Sequence, residues 1–337
     1  MNWLAIDIGG ANLKVADGLG YAASYPFPLW KFPERLAQQL GHAIAEAPRA
    51  ERLAITMTGE LADCYASRRE GVEKILDAVE EAAAGRSIVV YLVTGEMVAP
   101  QAARRNPLLA AASNWHALAA FAGRFVPHQT ALLIDAGSTT CDVIPLVDGR
   151  PAARGRTDTE RLLHQELVYT GVERSPVCAL VSHLPYGQQN CAVAQELFAT
   201  ARDAYLLLGE LPEQPADRNT ADGRPATRDA ARTRLARMVC ADVDEFTWED
   251  ARRAAVAIQA AQVERLGAAV RWVAAALPQP PSSVVLVGQG EFLIRAALDT
   301  LPWKGVTVSL EQLAGDLVSR CGPAHALAVL SREVPDR

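Results

Sequence analysis

Twice in this chain an apolar, strand-like run ends in an aspartate and turns through glycine into a second strand. The first copy is Ile6-Asp7-Ile8-Gly9-Gly10-Ala11-Asn12-Leu13-Lys14. The second, 128 residues further on, is Ile134-Asp135-Ala136-Gly137-Ser138-Thr139-Thr140-Cys141-Asp142. An echo at domain-sized spacing is what duplication of a fold leaves behind. Each copy delivers a carboxylate to the mouth of a turn whose small residues let backbone N–H groups approach phosphate oxygens. One copy alone reads equally well as an ordinary hairpin with an exposed acid. Two copies, each heading a domain-sized unit, point to one phosphate cleft. Asp7 and Asp135 are therefore candidate catalytic and metal-holding acids, and Lys14 a candidate point charge. Gly9, Gly10, Asn12, Gly137, Ser138, Thr139 and Thr140 are candidate phosphate ligands. A third motif, Val284-Val285-Leu286-Val287-Gly288-Gln289-Gly290-Glu291, runs from an apolar strand through glycines into a helix N-terminus, which adds Gly288 and Gly290. A lone glycine pair is weak; a plain tight turn looks the same.

Between and around these motifs, strands and helices alternate, the signature of an α/β fold. Strands are expected at 2–7, Asn12–Ala16, Tyr21–Phe27, Leu53–Met57, Ile88–Val93, Ala131–Ile134, Cys141–Leu146, Val284–Val287 and Val306–Val308, with Asp148-Gly149 as a hairpin signal. Helices are expected at Arg35–Ala45, Gly71–Ala83, Asn114–Phe125 (capped by Ser113 or Asn114), Asn190–Leu208, Thr227–Met238, Trp248–Ala276, Glu291–Leu298 and 323–332. Gln214–Pro225, rich in Pro, Asp and Gly, reads as a loop.

Composition narrows the classes of function. With 337 residues, half of them apolar, the chain can bury a core of about two domains. A formal net charge of −6 argues against a general binder of nucleic acid or anionic membrane. No apolar run approaches the roughly 18 residues needed to span a bilayer, and the opening Met1-Asn2-Trp3-Leu4-Ala5-Ile6-Asp7 has no basic segment or cleavage site. The six cysteines show neither CxxC pairing nor zinc spacing, so buried free thiols in a reducing cytoplasm are expected. Abundant arginine and alanine, with lysine confined to Lys14, Lys31, Lys74 and Lys304, suggest a GC-rich bacterial genome.

In order and spacing, the three motifs resemble the phosphate-1, phosphate-2 and adenosine loops of the actin/sugar-kinase/Hsp70 superfold. Within it the chain is similar to the hydantoinase/oxoprolinase group, and closer still to the tetrahydromethanopterin-linked C1-transfer pathway proteins. The matches are the first motif, Thr56-Met57-Thr58-Gly59-Glu60-Leu61-Ala62-Asp63-Cys64, Ala112-Ser113-Asn114-Trp115, Gly155-Arg156-Thr157-Asp158-Thr159-Glu160-Arg161-Leu162, Leu167-Val168-Tyr169-Thr170-Gly171-Val172 and Thr220-Ala221-Asp222-Gly223-Arg224-Pro225. They span nearly the whole chain. The resemblance implies an actin-like, ribonuclease H-like duplicated fold of two domains with a cleft between them: 1–128 plus a closing helix near 322–337, and 129–321. It also implies a transferase of methanofuran or methylofuran synthesis. Such an enzyme joins an aminomethyl-furanmethanol diphosphate to the phenol oxygen of a tyramine-type amine and releases pyrophosphate, with Mg²⁺ on Asp7 and Asp135. Its partners would be those two small molecules, with no nucleic acid or membrane, and a homodimer as the candidate assembly. An ATP-dependent small-molecule kinase, a hydantoinase-like amidohydrolase and a non-catalytic nucleotide sensor are the rival readings.

Other polar clusters admit two readings each. Glu60 and Asp63 follow a buried strand, where α/β sites form, or else are helix N-terminal acids. Thr157-Asp158-Thr159-Glu160 has capping-box spacing, and only the resemblance gives Asp158 and Asn114 substrate roles. Glu196, Thr200 and Asp203 would share one helix face, as a substrate site or as a solvated stripe. His116 and His183 read as structural, and Arg104-Arg105 as either an exposed pair or an anion contact.

Overall fold

The computed structural model describes residues 2–333. Trp3–Ile8 (β1) is buried along its whole length, as a strand covered on both faces must be. The chain folds back into β2 (Asn12–Ala16) and β3 (Ala22–Pro26), and crosses by the helix Leu36–Glu46 to β4 (Arg52–Met57). The helix Arg68–Ala82 then leads to β5 (Ser87–Tyr91), with β6 (Met97–Val98) at the edge. The sheet order is β3-β2-β1-β4-β5-β6. Strands β1, β4 and β5 are parallel, and the other neighbours antiparallel. Leu36, Leu40, Ala43 and Ile44 form the buried stripe of the crossover helix, at the spacing of an amphipathic helix.

A second sheet starts with β7 (Thr130–Ala136), β8 (Cys141–Val147), β9 (Arg150–Pro151) and β10 (Leu167–Val168). After the separate hairpin β11 (His183–Tyr186) and β12 (Gln189–Ala192), it is completed by β13 (Ser283–Val287) and β14 (Val306–Ser309). Its order is β10-β8-β7-β13-β14, with β9 against β8. Strand for strand this repeats β3-β2-β1-β4-β5: antiparallel neighbours on one side of the leading strand, parallel ones on the other. The halves differ in what lies between their third and fourth strands. In the first it is one helix. In the second it is the short helix Val177–Leu180, the hairpin, the helices Ala201–Leu208 and Arg228–Met238, and the 28-residue helix Trp248–Ala275. At 1.5 Å per residue that helix is about 42 Å long, and a capping box of Thr247 and Asp250 starts it.

Gly322–Glu333 packs Leu327 and Ala328 against Trp3, Ala5 and Ala54 of the first sheet. Asp148 and Gly149 both take left-handed backbone, with φ of 49° and 72°, as the hairpin signal requires. All six cysteines are unpaired, but only Cys141 and Cys321 are buried; Cys240 is exposed. Among the described residues no helix is long and apolar enough to cross a membrane.

One expected element is wrong. Asn190–Leu208 is not a single helix: its first residues form β12, and the helix runs only from Ala201 to Leu208. Thr200 and Asp203 are the reason. The Asp203 carboxylate accepts from the Thr200 N–H at 3.0 Å, and the Asp203 N–H donates to the Thr200 carbonyl at 3.0 Å, which begins the helix at that point. The cap of the helix Asn114–Ala122 also differs. The Ser113 hydroxyl bonds the Tyr91 carbonyl and Thr56 at 3.0 and 2.9 Å, and makes no cap bond.

Candidate active site

The two glycine turns are built alike. The Gly9 N–H donates to the Asn12 carbonyl at 3.0 Å, and the Gly137 N–H to Thr140 at 2.9 Å. Two-residue loops, Gly10-Ala11 and Ser138-Thr139, stand between. Among the described residues, the backbone N–H groups of those four loop residues have no hydrogen-bond partner. Nothing lies within 4 Å of where a Gly10 side chain would begin. Both turns line one cavity of about 120 Å³, together with Asp7, Lys14, Asn114, Asp135 and Asp142. Spare N–H groups facing such a space are the elements of an anion cradle.

Cross-strand register sets the charges. Asp7 faces Lys14 across β1 and β2, and at the same spacing Asp135 faces Asp142 across β7 and β8. Asp7 is buried, and its Oδ1 has no partner; Asn114 reaches its Oδ2 at 3.5 Å. Burial pushes the Asp7 carboxyl up to about 6, against the pull of Lys14 and Asn114. Asp135 is pushed up to about 7, first by burial, then by the charges of Asp142 and Asp7, with Lys14 and Arg161 opposing. Arg161 is buried, bonds Asp142, meets Asp158 at 3.4 Å and lies 4.5 Å over the Trp115 ring. It therefore compensates the second half's extra carboxylate.

Behind this wall Glu60 is 1% exposed, its Oε2 has no partner, and its carboxyl is pushed up to about 7, mainly by burial. The charge of Asp158 raises it further, while the Ala112 backbone and Arg68 counteract. Ala112 itself holds φ at 46°, a strained conformation for a residue with a Cβ, immediately before Ser113 and Asn114. Asp158 sits beside Thr157 and Glu160, which form the expected capping box.

Several expected site residues lie elsewhere. Asp63 and Glu196 are exposed and outside the cavity wall. Asp203 is buried against Arg234, at 2.8 and 2.6 Å, and does not share a helix face with Glu196. Arg104 is committed to Asp77 and Glu80. His116 bonds the Tyr91 hydroxyl at 2.9 Å, and burial lowers its ring to about 4. Gly288 and Gly290 offer no free donors, because their N–H groups bond Ser319 Oγ and the Ala136 carbonyl. Gly288 does something else. At φ 93°, a Cβ there would stand 2.4 Å from Asp135 Oδ1, so the glycine clears the space that the acid occupies.

Because Arg234 is fully buried, Asp203→Ala should cost on the order of 3 kcal/mol in unfolding free energy by leaving its charge underpaired. Denaturant titration checks this. A midpoint equal to the parent's would mean that Asp222, 3.0 Å from Arg234, satisfies it alone.

Residues 51–328 match the hydantoinase/oxoprolinase family. The chain belongs to that family. Its fold is accordingly the duplicated, actin-like α/β architecture that the paired motifs suggest. A curated relative from Methanocaldococcus jannaschii is 33% identical over 99% of this chain and 98% of its own. It is named (4-{4-[2-(gamma-L-glutamylamino)ethyl]phenoxymethyl}furan-2-yl)methanamine synthase. A protein of the same name from Methanococcus vannielii is 28% identical over 60% of this chain and 90% of its own. Among solved structures, nucleotide-free acetone carboxylase superposes with a TM-score of 0.53 at 11% identity, covering 97% of this chain and 70% of the other. That likeness is one of fold.

Sequence inspection missed Thr58, Asp142 and Arg161. The first two line the cavity, and Arg161 neutralises Asp142. Asp142 had a signal: it stands seven residues after Asp135, as Lys14 does after Asp7.

Proposed function

We propose that this chain is a transferase that forms an aryl ether in methanofuran or methylofuran synthesis. It joins a furan-methyl diphosphate to the phenol oxygen of a tyramine-type amine and releases pyrophosphate. The observation that carries the reading is the cavity itself: the carboxylates of Asp7, Asp135 and Asp142, a lysine and four unspent N–H groups on paired turns. The near full-length similarity to a synthase whose named product holds a phenoxymethyl-furan linkage supports it.

The chemistry has two parts. The bond from the furan-methyl carbon to the diphosphate oxygen breaks, and its electron pair leaves with the diphosphate. The turn N–H groups and Lys14 hold that developing charge. The phenol oxygen forms the new bond to carbon, and its proton passes to a carboxylate, Asp7 first and Asp135 second. A carboxyl raised to about 6 or 7 by burial is a better acceptor near neutrality than an ordinary one. Mg²⁺ fits the donor set. Among the described residues no three acidic, His or Cys side chains assemble a closed metal site, whereas Mg²⁺ commonly takes one or two carboxylates and completes its shell with phosphate and water. Asp7, with its unpartnered Oδ1, and Asp135 would hold it. When bound, the ion would neutralise leaving-group charge. We place the reaction in the cytoplasm, a reading supported by the unpaired cysteines. Arginine-rich composition favours a bacterial source, although the two relatives are archaeal.

The activated diphosphate carries the driving force, so turnover should need Mg²⁺ and no nucleotide. Pure protein, a furan-methyl diphosphate, a tyramine-type phenol and Mg²⁺ should yield pyrophosphate and an ether of the expected mass. Product that forms only with ATP, or ADP that accumulates in step with product, would transfer the assignment to the ATP-dependent kinase or amidohydrolase reading.

A further inference from the structure

Beside the cavity of the two turns lies another of about 230 Å³. The two share Ala11, Asn12, Lys14 and Ser138, so one extended molecule can lie against both. Neither alone reaches the roughly 300–1,000 Å³ of ordinary small-molecule sites; joined, they do.

The larger cavity is lined by charges of both signs, and most of them are already paired. Arg202 bonds Gln214 at 3.0 Å and Asp217 at 2.7 Å. Arg320 bonds Gln289 at 2.6 Å and meets Glu173 at 3.4 Å, and Gln289 bonds Glu173 at 3.1 Å. Arg174 stands apart. Among the described residues its guanidinium has no hydrogen-bond or ion-pair partner, although it is half-buried. It is nevertheless held in place. Its Cζ lies over the Trp30 ring, 4.4 Å from the centroid, a contact that uses none of its N–H groups as hydrogen-bond donors. Its backbone is fixed too, because the N–H groups of Glu173 and Arg174 both donate to the Ser138 carbonyl, at 3.0 and 2.9 Å. Gly171 packs directly beneath the same turn, where a Cβ would come within 2.5 Å of Ser138 and Thr139. A preorganised guanidinium with an unused fork is a receptor for a planar anion, above all a carboxylate. The neighbouring carboxylate is that of Glu173, whose Oε1 takes Gln289 and Arg320 while its Oε2 has no hydrogen bond among the described residues. A positive fork beside a negative carboxylate matches an α-amino-acid head, which presents a carboxylate and an ammonium together.

We infer that this cavity binds the α-amino-acid head of a γ-glutamyl arm on the phenolic acceptor, with Arg174 taking its carboxylate and Glu173 facing its ammonium. The inference rests on the proposed transferase reading, since the phenol must reach the turns while its arm lies along the Lys14 and Ser138 wall. Arg174 is then a specificity residue: it distinguishes a glutamylated acceptor from bare tyramine and takes no part in bond making.

Two measurements test this. The first compares kcat/KM for γ-glutamyltyramine and tyramine, with the furan-methyl diphosphate and Mg²⁺, in the parent and in Arg174→Gln. The parent should prefer the glutamylated acceptor. The variant should lose tenfold or more of that preference through KM, while tyramine turnover stays within about twofold and shows that the fold is intact. Equal losses on both acceptors, or an unchanged preference, would overturn the assignment. The second is calorimetric titration with γ-glutamyltyramine, ADP and ATP, which needs no turnover. Binding of γ-glutamyltyramine that Arg174→Gln abolishes supports the cavity's role even if no ether forms and the transferase reading fails. Binding of ADP or ATP that depends on Arg174, with none of γ-glutamyltyramine, would make it a nucleotide site and end the proposal.

Discussion

Asp7→Asn and Asp135→Asn should each fold normally and lose on the order of 10²-fold or more in turnover. Each removes one of the two strand-end acids among the three carboxylates that line the shared cavity. Initial rates of pyrophosphate release measure the loss, and near-parental turnover by either variant would remove that carboxylate from the mechanism. The acids must be ionised to act, and burial raises them to about 6 and 7. Bound Mg²⁺ would pull both carboxyls down again, so the acid limb of parent activity should lie below these values at saturating Mg²⁺ and move up as Mg²⁺ is lowered. The same burial makes a prediction for stability without metal. A carboxyl raised in the folded state keeps a proton that the unfolded chain releases above about 3.8, so its contribution is favourable at low pH and is lost as pH rises towards its folded value. The asparagine variants lack this ionisation. They should melt at higher temperature than the parent at pH 8 in chelator, by several degrees, and lose that advantage near pH 4. Thermal scans at the two pH values check the sign, and identical melting curves would mean that the acids are solvated in the free protein.

Lys14→Ala should weaken pyrophosphate binding by about 1.5–3 kcal/mol, roughly ten- to a hundredfold, if the side chain makes a charge-assisted bond. The phenolic partner should be largely unaffected. Lys14 lines both cavities and pulls the carboxyls of Asp7 and Asp135 downward. Its loss should therefore also move the acid limb of the rate profile to higher pH. Calorimetric titration with pyrophosphate gives the affinity. An unchanged value would reduce Lys14 to a surface charge.

Much of this was legible because the informative patterns are local. A strand, an acid and a glycine turn lie within nine residues, so both copies could be recognised without knowing what they face. The long helix Trp248–Ala275 likewise carried its length in the sequence. What escaped depends on contacts between distant segments. Arg161 acquires its role from Asp142 and Trp115, and Arg174 from Trp30. No spacing announces either contact. The error at Glu196 and Asp203 is of another kind. Helical periodicity and the Asp203 cap on the Thr200 N–H competed for the same residues, and the cap won because it satisfies a backbone N–H that periodicity leaves open. At Gly288 and Gly290 the residue type was informative, but the reason differed: the glycines make room for the acid's turn and do not donate to a ligand.

The exchange of Lys14 for Asp142 at matching places in the two halves has a consequence for how a guest can lie. A cleft made by doubling one unit begins ambidextrous: a molecule with unlike ends fits it either way round, and half of its bound poses are barren. Here one wall opposes its acid with a cation and the other with a second anion. Arg161 offsets that second anion from behind, so the uncompensated cation is on the Lys14 side, and an anionic end of the guest is favoured there over the opposite wall. One divergent position, with the arginine that answers it, is enough to turn a two-way berth into a one-way slip.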